Sequence, residues 1–136
     1  MLIYRVGHKS QEDGVMPQGP YCNRWSLGLS EELLEGLHNM AWKHSDDTHP
    51  NPYVDPLLNG IRTAERCGFD SLEALHEWFK GYFELLVECG FLLYAYDVPD
   101  GCVRVGMFGQ AVFIGSAATQ IRVSDFDLNY TVGKAA

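Results

Sequence analysis

The sequence predicts an α+β fold: a mainly antiparallel sheet packed against one long helix, with a second, shorter helix and long irregular loops. Three observations predict it. The apolar run "LIYRV" stands at the very start of the chain. The strongest helical periodicity lies in the middle, in "GFDSLEALHEWFKGYFELLVECGF". Beyond that segment the apolar stretches are short and punctuated by Gly, as strands joined by tight turns are.

Residues 2–7 form the first expected strand. Leu2, Tyr4 and Val6 point to one face and Ile3, Arg5 and Gly7 to the other. The loop "HKSQEDGVMPQGPYCNRW" follows, with Gly14, Pro17, Gly19 and Pro20 as breakers. In "SEELLEGLHNMAWKH", Ser30 is a suitable cap and Glu31 and Glu32 suit the positive end of the dipole. Leu33, Leu34, Leu37, Met40 and Ala41 make one apolar stripe.

"SDDTHPNPYVDP" is irregular because Pro50, Pro52 and Pro56 interrupt it. The long helix comes next, capped by Asp70 with Glu73 or by Ser71, carrying Leu72, Leu75, Trp78, Phe79, Tyr82 and Leu86, and stopping at Gly90. "FLLYAYDV" reads as a buried strand and "PDG" as a turn. "CVRVGMFGQAVFI" supplies one or two strands, and "TQIRVS" and "DLNYTV" are short strands.

The chain of 136 residues fits a single domain over 1–136. A charge of −8 argues against direct nucleic-acid binding, which wants a basic patch, but suits an acidic decoy surface. Cys22, Cys67, Cys89 and Cys102 form no CxxC pair and read as small buried thiols. "MLIYRVGHK" lacks the length and flanks of a signal peptide, and no apolar run reaches about 18 residues. The expectation is a reducing host-cell cytoplasm and no membrane contact.

Arg5 is the residue out of place. Either it snorkels from an edge strand to water or to a carboxylate, or it lines a cleft and binds an anion. In the second case the "QGPY" turn brings Tyr21 to the same cleft. His44, Asp46, Asp47, His49 and Asp55 offer metal-ligand chemistry but no rigid helical spacing, so no metal site is assigned. His38 is expected to pack and His76 to face water. Ser71 is accounted for as a helix-start residue, and Gln110, beside an apolar strand, must find partners for its amide.

The stretches "IYRV", "GPY", "HPNPYVD", "CGFDSLEALHEWF", "GFLLYAYDV" and "GQAVF" resemble a family of small uncharacterised proteins of bacteriophages and prophages. The resemblance covers about residues 2–114 and leaves 115–136 as a tail. More distantly, the order resembles the ADP-ribosyltransferase fold. That resemblance implies Arg5 as the NAD-holding residue, Phe69 and Ser71 as the strand-to-helix motif, and Gln110 at the catalytic position. The family's carboxylate is replaced there by an amide, which cannot stabilise a ribosyl cation in the same way.

Two functions follow from these readings. In the first, a phage-encoded inhibitor of a bacterial defence system, of the anti-CRISPR kind, covers a basic groove on a host effector. Its acidic surface comprises Glu31, Glu32, Glu35, Glu73, Glu77 and Glu84, and it needs no cofactor. In the alternative, Arg5, Tyr21, Phe69, Ser71 and Gln110 hold NAD or an ADP-ribose-type nucleotide. The protein then sequesters the nucleotide or, as an enzyme, transfers ADP-ribose to a host target.

Overall fold

A computed structural model describes residues 1–130. Its centre is one six-stranded sheet, every pairing antiparallel. The strands are β1 (Leu2–His8), β2 (Glu65–Phe69), β3 (Phe91–Asp97), β4 (Val103–Val105), β5 (Gln110–Ile114) and β6 (Thr119–Ser124). They lie in the order β4-β5-β2-β1-β3-β6. The helices among the described residues are α1 (Glu31–Lys43), α2 (Leu72–Trp78) and α3 (Phe83–Glu88).

This corrects the expected architecture: among the described residues no long helix lies on the sheet. The segment predicted as one helix is two short ones, because the chain turns at Gly81, where φ is +88°. A left-handed residue cannot continue a right-handed helix, and glycine enters that region without a Cβ penalty. The apolar spacing survives the break. Leu75, Trp78, Phe79 and Leu86 are all buried, so periodicity reported which residues face the core and not the continuity of the backbone. Ser71 caps α2 by accepting from the Ala74 N–H at 3.0 Å, and Ser30 caps α1 through Leu33.

The helices cover one face of the sheet with a core that includes Val6, Leu37, Met40, Phe69, Leu75, Phe79, Leu86 and Phe91. On the other face Ile3, Tyr94, Tyr96 and Phe113 pack around Met16, which the first loop carries in. That loop is tied down through Gln18. Its side-chain Nε2 donates to the Cys22 and Asn23 carbonyls, and its own carbonyl accepts from the His8 N–H.

Several local expectations change. Strand β2 is not legible in its own residues, because "ERCGF" has neither alternation nor apolar bulk; only the distant resemblance implied a strand end at Phe69. Glu65 is buried there because Arg104 pairs with it at 2.7 and 2.9 Å and the Arg62 N–H donates to it at 2.8 Å. His38 is exposed rather than packed. His76 is buried rather than exposed, hydrogen-bonded to the Leu72 carbonyl and stacked on Tyr130. Cys22 is exposed, unlike the buried thiol expected. Of the last predicted strand, 127–132, the described part is a turn closed by Tyr130 N–H donating to the Asp127 carbonyl; the rest lies outside the described residues.

Candidate functional site

The site begins as a fault in the sheet. β2 is paired with β5 over its whole length, from Glu65↔Ile114 to Phe69↔Gln110. With β1 it pairs at one position, Tyr4↔Phe69. The two strands then part, and the gap opens into a cleft of about 690 Å³. Residues from both faces of the sheet line it, Val6 and Phe69 from the helical side and Arg5 and Arg66 from the other. The strands approach tightly at Gly68, where a Cβ would stand 2.7 Å from Ile3 Cγ2 and 2.8 Å from the Tyr4 carbonyl oxygen. Only glycine fits that approach.

Arg5 occupies the gap. Its side chain is 7% exposed. Nη1 donates to the Cys67 carbonyl at 2.6 Å, filling the place a β1 amide would take in a continued ladder, and Nη2 donates to the Pro17 carbonyl at 3.2 Å. Asp13 lies 3.8 Å away but spends its carboxylate elsewhere: Arg66 Nε donates to it at 2.7 Å, and Val15 and Met16 N–H groups cap its other oxygen. Burial pushes the Asp13 carboxyl up, but these hydrogen bonds outweigh it and hold the group below its ordinary range. Arg5 Nε is buried with no partner among the described residues. Burial lowers the pKa of Arg5, opposed by Cys67 and Asp13, yet a guanidinium keeps its charge at neutral pH. That Nε is sealed from the cleft, so what Arg5 offers a guest is the charge of a guanidinium on the wall, which favours an anion.

The opposite wall is aromatic. Tyr21 and Phe79 are stacked at 6.1 Å. The Tyr21 hydroxyl accepts from Trp78 Nε1 at 3.0 Å and donates to His44 Nδ1. Although 37% of Tyr21 is accessible, its hydroxyl is engaged on both sides, and burial pushes its pKa above the ordinary phenol range. His44 in turn stacks on His49 at 4.3 Å, and burial first, then the neighbouring His49, pulls its pKa down to about 4. It is therefore a neutral acceptor for Tyr21 at neutral pH. His49 and Asp46 hydrogen-bond at 2.9 Å.

Gln110 closes one end. Its Nε2 donates to the Pro50 carbonyl at 2.9 Å and to Asp55 Oδ2 at 3.2 Å. Asp55, fully buried, also accepts from the Met107 and Leu57 N–H groups. Gln110 is thus the latch that fastens the 44–60 loop to β5. A glutamate could not donate there and would face a second carboxylate.

The structure therefore brings Arg5, Tyr21, Phe69 and Gln110 onto one cleft. Ser71 is apart from it, at the start of α2. The six glutamates assigned to a partner surface, Glu31, Glu32, Glu35, Glu73, Glu77 and Glu84, are all exposed on the helices. Of the metal-ligand candidates, His44 and His49 join the aromatic wall while Asp55 is consumed by the latch. Sequence reasoning missed Arg66, Asp13, Arg62 and Trp78 as lining residues. Arg62 sits exposed on the cleft and makes no ion pair among the described residues. The charged stretch "RTAER", which runs into the first two residues of β2, was the one available signal.

Fold and cleft together define a small antiparallel α+β protein with a cationic, aromatic-walled hollow at a split strand seam. The chain belongs to the family described as Bacteriophage T4 Y00F protein, which matches residues 1–127 and so extends past the 2–114 stretch carried by the quoted motifs. No curated protein and no solved structure gives a significant match. The comparisons give no support to the ADP-ribosyltransferase resemblance. Among the described residues no helix is long and apolar enough to cross a membrane.

Proposed function

We propose that this phage protein binds an anion of the nucleotide class in the cleft and withholds it from the infected host, blunting a defence response that uses such a molecule as its signal. The observation that carries this reading is Arg5: a buried, charged guanidinium on a hollow also lined by Tyr21, Phe69 and Trp78. An aromatic wall suits a base, a guanidinium suits a phosphate, and the volume lies within the roughly 300–1,000 Å³ of small-molecule sites. Arg62 at the mouth supplies a second cation for an extended ligand. Sequestration is favoured over ADP-ribosyl transfer because Gln110 is spent on Pro50 and Asp55.

Calorimetric titration with NAD, ADP-ribose and AMP tests the reading. Binding by at least one of them is expected, weakened at least about tenfold in Arg5→Met through loss of a charge-assisted contact. No heat at millimolar ligand, or equal affinity in Arg5→Met, overturns it.

A second reading has its own observation. All six glutamates of the predicted acidic surface are exposed on the helical layer, which supports an anti-CRISPR-like protein that covers a basic groove of a host defence component. Binding that survives loss of Arg5 but weakens steeply with salt would favour it.

A further inference from the structure

We infer that the outer ridge of α1 is a docking face for a basic, amphipathic segment of a partner protein. The inward stripe of α1 is complete without its tryptophan: Leu37 and Met40 are fully buried. Trp42 is 79% exposed, and Trp25, on the preceding 3-10 turn Arg24–Leu27, is 78% exposed. Isolated exposed apolar residues are ordinary, but two tryptophans left almost wholly in water are not what folding alone selects.

They belong to one surface. Trp25 forms a groove of about 200 Å³ with Arg24, Leu34, Glu35 and His38, and the Arg24 guanidinium lies 5.9 Å from the centre of its ring. His38 and Trp42 are one helical turn apart, so the ridge Leu34–His38–Trp42 runs on from the groove. Tryptophan is the residue most enriched at the energetic centre of interfaces, and a groove beside it is where a partner's apolar side chain seats.

Charge selects the occupant. Glu35 lines the groove beside Arg24, Glu31 and Glu32 stand exposed in the turn of α1 before it, and Lys43 is the cation at the helix's other end. An acidic rim around an aromatic centre repels nucleic acid and anionic lipid and attracts lysine- or arginine-rich chain. A helix with apolar residues on one side and basic residues on the other satisfies both features. The groove shares no lining residue with the nucleotide cleft and sharpens the covering-protein reading by naming which acids take part: those of α1, not Glu73, Glu77 or Glu84.

The test titrates the full chain with a synthetic amphipathic helix of leucine and lysine, by calorimetry and tryptophan fluorescence. The expected result is a blue-shifted emission, with affinity about 10- to 30-fold weaker in Trp42→Ala and Trp25→Ala. A comparable loss is expected in the triple reversal of Glu31, Glu32 and Glu35 to Lys, and little change when Glu73, Glu77 and Glu84 are reversed. All these side chains are exposed, so circular dichroism should confirm an intact fold. Affinity unchanged in both tryptophan variants overturns the inference. If that affinity then falls on reversing Glu73, Glu77 and Glu84, the acidic-surface reading survives without this ridge. A dimer in sedimentation that Trp42→Ala dissociates would assign the ridge to a second copy of the chain and also overturn it.

Discussion

Strand β1 meets its two neighbours in different ways. Toward β3 it is paired from Leu2↔Asp97 to His8↔Phe91, a closed seam whose main-chain groups satisfy one another. Toward β2 it is paired at Tyr4↔Phe69 and then lets go. The closed seam is the architecture of a stable sheet and offers a ligand nothing. The open seam leaves the Cys67 carbonyl without a strand partner, and Arg5 supplies the donor the ladder does not, while its other nitrogen holds the Pro17 carbonyl of the first loop. The same side chain that mends the sheet therefore gives the cleft its charge. What separates a structural seam from a binding seam here is whether a side chain or a main-chain amide completes the hydrogen bonding.

Closing off the point where the seam begins should have the largest effect. Gly68→Val must displace Ile3 and the Tyr4 backbone, and is expected to cost about 3 kcal/mol or more in urea denaturation. A loss within experimental error would show that β1 and β2 do not approach as described. Arg5→Ala comes next. It strands two inward carbonyls, at about 2–3 kcal/mol, and Arg5→Met should regain part of that by packing without regaining the donors. Equal stability of Arg5→Ala and the parent chain would mean that the guanidinium does not hold the open seam together.

Gln110→Glu sharpens the comparison at the far end of the cleft. At pH 7 a carboxylate there faces the Asp55 Oδ2 and loses its bond to the Pro50 carbonyl, for an expected cost of about 1–2 kcal/mol. At pH 5 the loss should shrink, because one of two crowded carboxyls takes up a proton. A penalty that is the same at both pH values would contradict the latch geometry.

The two seams also differ in how legible they were. "LIYRV" and "FLLYAYDV" show β1 and β3 through apolar and aromatic content, and their pairing follows from ordinary strand physics. β2 carries Glu65, Arg66, Cys67 and Gly68, a composition that denies a strand. Its stability comes from partners far along the chain, Arg104 for Glu65 and Asp13 for Arg66, that no local pattern reveals. Arg5 was visible as an anomaly because a guanidinium in an apolar strand has few explanations. Its carbonyl partners were not visible, since backbone acceptors leave no mark on a sequence. Gly81 shows the converse limit: helical spacing on either side of it concealed a break that one backbone angle makes.

The smallest effect expected is one of pH, and it lies on the aromatic wall. His44 has a pKa near 4 in the folded chain against an ordinary 6.5, because burial and His49 disfavour its charged form. Between those values the unfolded chain holds the proton and the folded chain does not, so stability is complete above pH 6.5 and declines as pH falls toward 4. About 1 kcal/mol is expected, below the full linkage value of roughly 3, because water in the cleft screens the imidazolium. Asp46, held down to about 2 chiefly by its hydrogen bond with His49, loses its contribution only as pH falls from the ordinary carboxylate value of 3.8 toward 2, so the two windows separate. Denaturation midpoints measured from pH 7.5 to 4 in the parent chain and in His44→Gln check the assignment. The variant, whose amide oxygen can still accept from Tyr21, should flatten the slope between 6.5 and 4. An unchanged slope would mean that the protonation felt by the fold in that range resides elsewhere and that the Tyr21–His44 pair does not keep the ring neutral.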